Sequence, residues 1–233
     1  MFYRRLPLEK CVNVRDLGGY PAQKGTATQF GRFLRGDALY DLSQSDLRFL
    51  WDYGVRNVFD LRGNAEKETE PNAFKGVPGV TVYDICLWDT DAYADTVHLI
   101  SNGMGDFYVA LADRYPDNLG RLFTLMAECE GGILFHCSAG KDRTGVTAAL
   151  LLGLVGVAYN DIVANYQVSN TYIRVNSQRP ALRNVPMNAL SSDASYIEQF
   201  LDFIKERGGA REFLKSTGVS ETNLNRLAEK LVT

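Results

Sequence analysis

At 233 residues and 26.0 kDa the chain can bury one substantial core, and nothing in it calls for a second domain, so residues 1–233 read as one unit. Hydrophobic residues at 45% and charged residues at 23% suit a soluble globular protein, and a net charge of −3 excludes a general nucleic-acid binder while allowing a local basic pocket. The cysteines at 11, 86, 129 and 137 have neither metal-ligand spacing nor a CxxC pair, which fits a reducing compartment and predicts no structural disulfide.

The first ten residues, MFYRRLPLEK, carry two arginines but no apolar stretch behind them, so no signal peptide is expected. NVRDLGGY at 13–20 sets a charged pair before Gly18-Gly19 and reads as a turn, either a structural corner or a contact to the active site. Phe30–Arg35 predicts a short strand. Ser43 opens a helix whose apolar cover (Leu47, Phe49, Leu50, Trp51) runs to Gly54. Val55–Leu61 predicts a strand, and Arg62 and Glu66 have the spacing of a pair on one helical turn. Val80–Leu87 predicts another strand, followed by an acidic loop from Trp88 to Asp91. Residues 105–130 have helical periodicity broken near Pro116.

Then comes Ile133–Gly145, ILFHCSAGKDRTG. A short apolar run predicts a buried strand, a polar turn follows, and the apolar segment Thr144–Ala158 predicts a buried helix. Its Val146–Ala158 run is 13 residues long, short of the roughly 20 needed to span a bilayer, so no stable membrane insertion is expected and the protein is placed in the cytoplasm. The rest is helical: Asp161–Ile173, an irregular connector from Arg174 to Ser192, then Ala194–Arg207, Ala210–Thr217 and Ser220–Val232. The segment after Asp161 is open to two readings, a lid over the site or plain cover for the sheet. Alternating strands and helices predict an α/β fold, a small and mostly parallel central sheet flanked by helices with a helical C-terminal part.

A strand–loop–helix unit aims backbone N–H groups and the positive helix end at one point, which suits an anion. Within this loop Cys137, with His136 behind it and Lys141 and Arg143 nearby, has surroundings that favour a thiolate; such surroundings bring cysteine pKa values from about 8.5 to roughly 3.5–7.5. Arg143, six residues after the cysteine, offers a planar fork for two phosphate oxygens. Thr144 can donate its hydroxyl to the departing sulfur. Ser138, Ala139, Gly140, Lys141, Asp142, Arg143 and Thr144 then form a phosphate-binding loop around a nucleophile. A nucleotide-binding loop does not fit: the position for its first glycine holds Phe135, and the residue after Lys141 is Asp142.

HCSAGKDRTG resembles the HCxxGxxR[ST]G loop of cysteine-dependent protein tyrosine phosphatases, above all the bacterial branch that includes the mycobacterial phosphatase B. NVRDLGGY, FDLRGNAE at 59–66 and the C-terminal run from Tyr196 are similar to the same branch. The resemblance implies a cofactor-free, metal-free phosphatase that passes through a phospho-cysteine. Its substrates would be phosphotyrosine proteins, with phosphoserine, phosphothreonine or phosphoinositides beside them; Lys141, a second cation in the loop, points to the wider range. Alternatives are a silent phospho-ligand-binding module and an arsenate or persulfide enzyme, disfavoured by the intact Cys137 and by the Arg-Thr-Gly ending respectively.

Three places compete for the acid that protonates the leaving oxygen. Asp142 is inside the loop, and the branch implicates the loop aspartate, but the flanking Lys141 and Arg143 favour its charged form. Asp60 ends a predicted strand near the loop. Asp89 or Asp91 follow Trp88, where relatives carry a movable acid, but without the usual proline. Cys86 and Cys129 are packing residues or protective partners for an oxidised Cys137, and His98 is a surface residue.

Overall fold

A computed structural model of the protein describes residues 1–88, 103–175 and 190–232. Five strands form one sheet in the order β1-β2-β5-β3-β4: Arg15–Asp16 (β1), Phe33–Gly36 (β2), Val55–Asp60 (β3), Thr81–Asp84 (β4) and Gly132–His136 (β5). All pairings are parallel except β1 with β2. β5 is the central strand and is buried at every position, as expected where both faces of a parallel sheet are covered.

Alternation along the strands divides the core. Ile133 and Phe135 join Phe33 and Phe59 in the larger cluster, beneath helices Met104–Arg114 (α3), Pro116–Glu128 (α4), Asp142–Leu154 (α5) and Tyr159–Val175 (α6). The C-terminal helices Ala194–Glu206 (α7), Ala210–Ser216 (α8) and Glu221–Leu231 (α9) complete that layer. Leu134, Leu34 and Val58 face the opposite way. They pack against Leu6, Leu8 and Val14 of the N-terminal segment and Leu50 of helix Gln44–Asp52 (α1). That segment is tied down where the Asp46 carboxylate, besides completing the Ser43 capping box, accepts the N–H groups of Glu9 (2.8 Å) and Lys10 (3.1 Å).

The α/β architecture agrees with the sequence reading, while several boundaries move. β1 was not expected at all: two residues of the supposed turn pair antiparallel with β2. β2 begins at Phe33 rather than Phe30, because residues 30–32 form a turn whose Gly31 N–H is held by the Asp16 carboxylate at 2.7 Å. β4 ends at Asp84, three residues short of the prediction. α5 begins at Asp142 and ends at Leu154, not at Thr144 and Ala158. An acidic first turn suits its N-terminus, and at its other end the chain turns back through Gly156 N–H on the Gly153 carbonyl (3.1 Å) and Val157 N–H on Leu152 (3.1 Å). Most of the connector, residues 176–189, lies outside the described residues, as do Asp89, Asp91 and His98.

Gly120 marks where α4 crosses the end of α8. A Cβ there would lie inside contact distance of the Thr217 carbonyl oxygen. In an open helix Gly→Ala stabilises by about 1 kcal/mol. Here Gly120→Ala should instead destabilise by about 2 kcal/mol through overpacking; a denaturation midpoint equal to or above wild type would show that the two helices separate freely.

Candidate active site

The loop from β5 to α5 is shaped from beneath, through its carbonyl oxygens. Cys137 O faces His136 Nδ1 at 3.1 Å, and Ser138 O accepts the Ala38 N–H at 3.0 Å. Asn13 Nδ2 donates to Ala139 O (2.9 Å) and Gly140 O (3.4 Å), while Arg35 Nη2 donates to Gly140 O (2.7 Å) and Lys141 O (3.5 Å). No peptide bond among the described residues is cis, and in a trans peptide the N–H points away from the C=O it shares the plane with. Five carbonyls held from below therefore turn the N–H groups of residues 138–142 the other way, making an anion-binding nest at the helix N-terminus. Gly140 has φ +71°, and a Cβ on it would meet the backbone of Gly36 and Asp37 at 2.7–2.8 Å. Only glycine fits there.

Cys137 follows the last residue of β5 and is 2% exposed. Behind it runs a buried polar row. The Asn72 amide is oriented by its Oδ1, which accepts Phe74 N–H at 3.0 Å, so its Nδ2 donates to His136 Nε2 (2.8 Å) and Asp60 Oδ2 (3.2 Å). This assigns His136 as the neutral Nδ1–H tautomer, donating to the Cys137 carbonyl. Asp60 binds Arg62 with both oxygens, at 2.9 and 2.7 Å, and is fully buried. Burial raises its pKa, but the hydrogen-bonded Arg62 guanidinium outweighs this and holds the carboxyl below the carboxylate range.

Arg143 directs its fork onto Glu66 of helix Asn64–Thr69 (α2), Nη1 to Oε2 at 2.5 Å and Nη2 to Oε1 at 2.8 Å. Ser138 Oγ also donates to Glu66 Oε1, and Gly63 N–H donates to Oε2 at 2.9 Å. The expected Arg62–Glu66 pair is thus replaced: Arg62 turns inward to Asp60, and Glu66 reaches the loop. Asp142 Oδ1 receives Tyr108 OH (2.5 Å) and Lys141 Nζ (3.1 Å), and Tyr108 is backed by Tyr166 OH (2.7 Å). Lys141, read as a cation open to substrate, is fully buried, and its Nζ also donates to Ser191 O at 2.9 Å. Thr144 Oγ1 is buried with no hydrogen-bond partner among the described residues, a hydroxyl left over at the base of the loop.

The family model for the tyrosine phosphatase family matches residues 6–233. The chain belongs to that family. Over 180 residues it is 34% identical to a Cupriavidus necator protein assigned to the tyrosine-protein phosphatases, covering 71% of this chain but only 63% of that protein. It is 29% identical to a tyrosine-protein phosphatase of Nostoc commune (91% of this chain, 78% of the relative) and 27% identical to the triple specificity protein phosphatase PtpB of Mycobacterium tuberculosis (97% and 98%).

Of the residues singled out from sequence, the loop and Glu66 converge, and Asp60 stands one row behind them. Asn13, Arg35, Tyr108, Asn165 and Tyr166 were not singled out. They come from four separate elements, and no spacing pattern connects them; only NVRDLGGY hinted at the first. That motif fills both suggested roles, since Asp16 builds a corner with Gly18 N–H (2.8 Å) and Tyr53 OH (2.8 Å) while Asn13 holds the loop. None of the four cysteines is joined in a disulfide, and the described residues contain no cluster of three metal-ligating side chains.

Burial raises the Glu66 pKa, yet Arg143, Ser138 and Gly63 N–H bring it from 4.5 down to about 2. The stability this adds is fully present above about pH 4.5 and is lost as pH falls through about 2. Glu66→Gln lacks that titration. Its stability deficit relative to wild type, measured by denaturant unfolding, should therefore shrink steadily over that window; a deficit independent of pH would mean the pair contributes no linkage.

Proposed function

We propose that this phosphatase hydrolyses phosphate monoesters, phosphotyrosine in proteins foremost, through a phospho-cysteine intermediate. The observation that carries the reading is the row of N–H groups turned outward around a buried Cys137. An incoming phosphate dianion takes three of its oxygens into that nest and takes over the fork that Glu66 now occupies on Arg143. The Cys137 thiolate attacks phosphorus, the P–S bond forms as the P–O bond to the leaving group breaks, and the leaving oxygen receives a proton. Water then attacks phosphorus, gives up a proton and releases phosphate and thiolate.

Asp142 is assigned as the proton donor, then as the acceptor of the water's proton. Its Oδ1 is filled by two donors, so the exchangeable proton belongs on Oδ2, which has no partner among the described residues; the side chain is 26% exposed. Asp60 is assigned a structural role, since both its oxygens bind Arg62 in a site closed to solvent. Lys141, committed to Asp142 and to the Ser191 carbonyl, is read as acting through Asp142, which places phosphotyrosine ahead of phosphoinositides. No helix among the described residues is long and apolar enough to cross a membrane, and a nucleophilic thiol suits the reducing cytoplasm where we place the activity.

Cys137→Ser should abolish turnover while vanadate still binds; retained turnover would end the mechanism. On aryl phosphates graded by leaving-group basicity, the loss in Asp142→Asn should grow toward the 10²–10⁴-fold expected of an acid, and an equal loss on every ester would demote Asp142 to a structural residue. Lys141→Ala should impair phosphotyrosine and phosphoinositide hydrolysis alike; a selective loss on the lipid would restore Lys141 as a substrate contact.

A further inference from the structure

Around Cys137 the charges can be paired off one by one. Arg143 is bound to Glu66, Arg62 to Asp60, and Lys141 to Asp142. His136 donates to the carbonyl of Cys137 itself, and its other nitrogen faces Asn72. Burial, with the neighbouring Asp142 charge, keeps the phenols of Tyr108 and Tyr166 protonated.

Arg35 is left over. It leaves β2 opposite Phe135, two residues before the cysteine, and is fully buried under the loop. Every acceptor it reaches is neutral: Asn165 Oδ1 at 2.6 Å, Gly140 O at 2.7 Å and Lys141 O at 3.5 Å, with Nε unpartnered. Its neighbour Arg15 is similar, with Asn13 Oδ1, Asn165 O (2.9 Å) and Ser169 Oγ (3.2 Å) as acceptors; the Asp37 carboxylate, which favours its charged form, already holds the N–H groups of Val12 and Asn13. Neutral carbonyls satisfy a guanidinium's hydrogen bonds but leave its charge uncompensated, and a buried charge without an anion is costly.

We infer that Arg35 is the buried counter-charge of the Cys137 thiolate, a positioning residue that keeps the nucleophile ionised from beneath the loop. Burial pulls the Arg35 guanidinium down to about 10, and the sulfur of Cys137 is the first charge opposing that. The arrangement separates two tasks. Arg143 faces the substrate and can be released from Glu66 to phosphate, while Arg35 serves the sulfur throughout the cycle and never meets solvent.

The inference rests on Cys137 being the nucleophile, so the first measurement is the wild-type rate of iodoacetate inactivation against pH. Alkylation at Cys137, blocked by phosphate, with a midpoint below the free-thiol value of about 8.5, is required; its absence would defeat the functional reading itself. The decisive variant is Asn165→Asp, nearly isosteric, which places a carboxylate on Arg35 Nη1 where the amide oxygen now lies. It keeps the hydrogen bond and pairs the charge elsewhere, so the midpoint should rise by about one pH unit, and ionisation followed by ultraviolet thiolate absorbance should rise with it. Arg35→Gln should raise the midpoint similarly, whereas Arg35→Lys should leave it near wild type even if turnover falls. If the Asn165→Asp midpoint equals that of wild type, or if Arg35→Lys raises it as much as Arg35→Gln, Arg35 only shapes the loop and the inference is wrong.

Discussion

The direction of five peptide planes decides whether this site exists. From Cys137 to Lys141 each carbonyl oxygen is drawn to the sheet side, and the amide hydrogens of the following residues have no option but to face the opening. The donors that hold them down are an imidazole, a backbone amide from the end of β2, one asparagine and one arginine. They come from the N-terminal segment, from β2 and from β5 itself. The N-terminal segment is therefore part of the loop's support, although it lies more than a hundred residues from Cys137 in sequence.

That arrangement requires cations and carboxylates in a region with little water, and the structure handles this by local pairing. Asp60 with Arg62 sits in the row behind Cys137; Glu66 with Arg143 sits at the mouth. The first pair is fully buried and committed, which suits an anchor. The second is partly open, and its carboxylate is bound by groups that a phosphate dianion can also engage, which suits an exchangeable partner. Buried pairs of this kind add little net stability compared with an apolar core, but losing one partner typically costs about 3–5 kcal/mol, so they define one geometry rather than raise the stability of many.

Tyr108, backed by Tyr166, does for Asp142 what Asn72 does for His136: each fills one polar atom of its partner and fixes which way the other atom faces. Tyr166 sits on α6, which packs against α5, while Tyr108 sits on α3, which packs chiefly against α7, so the orientation of Asp142 depends on how both helices dock. The same docking closes the larger core cluster, in which Tyr108 and Tyr166 are themselves members.

The sequence by itself determined the strand–loop–helix unit, a cysteine and an arginine six residues apart, the α/β class and most helices, because each is written in short-range spacing: apolar runs, a capping signal, a polar turn with a glycine. It also presented Glu66 and Arg62 at helical spacing, and there it misled, since spacing tells which side chains are near and not which way they turn. Only the tertiary structure decided that Arg62 faces inward and Glu66 faces the loop. It alone brought Asn13, Arg35, Tyr108 and Asn165 beneath or beside a loop to which no periodicity links them. It also put Asp60 in a closed site on Arg62 and left Asp142 partly open beside Tyr108, a difference that no spacing carries. The reason is that hydrogen-bond direction and burial, which set what a carboxylate or guanidinium can do, arise from packing between elements distant in the chain.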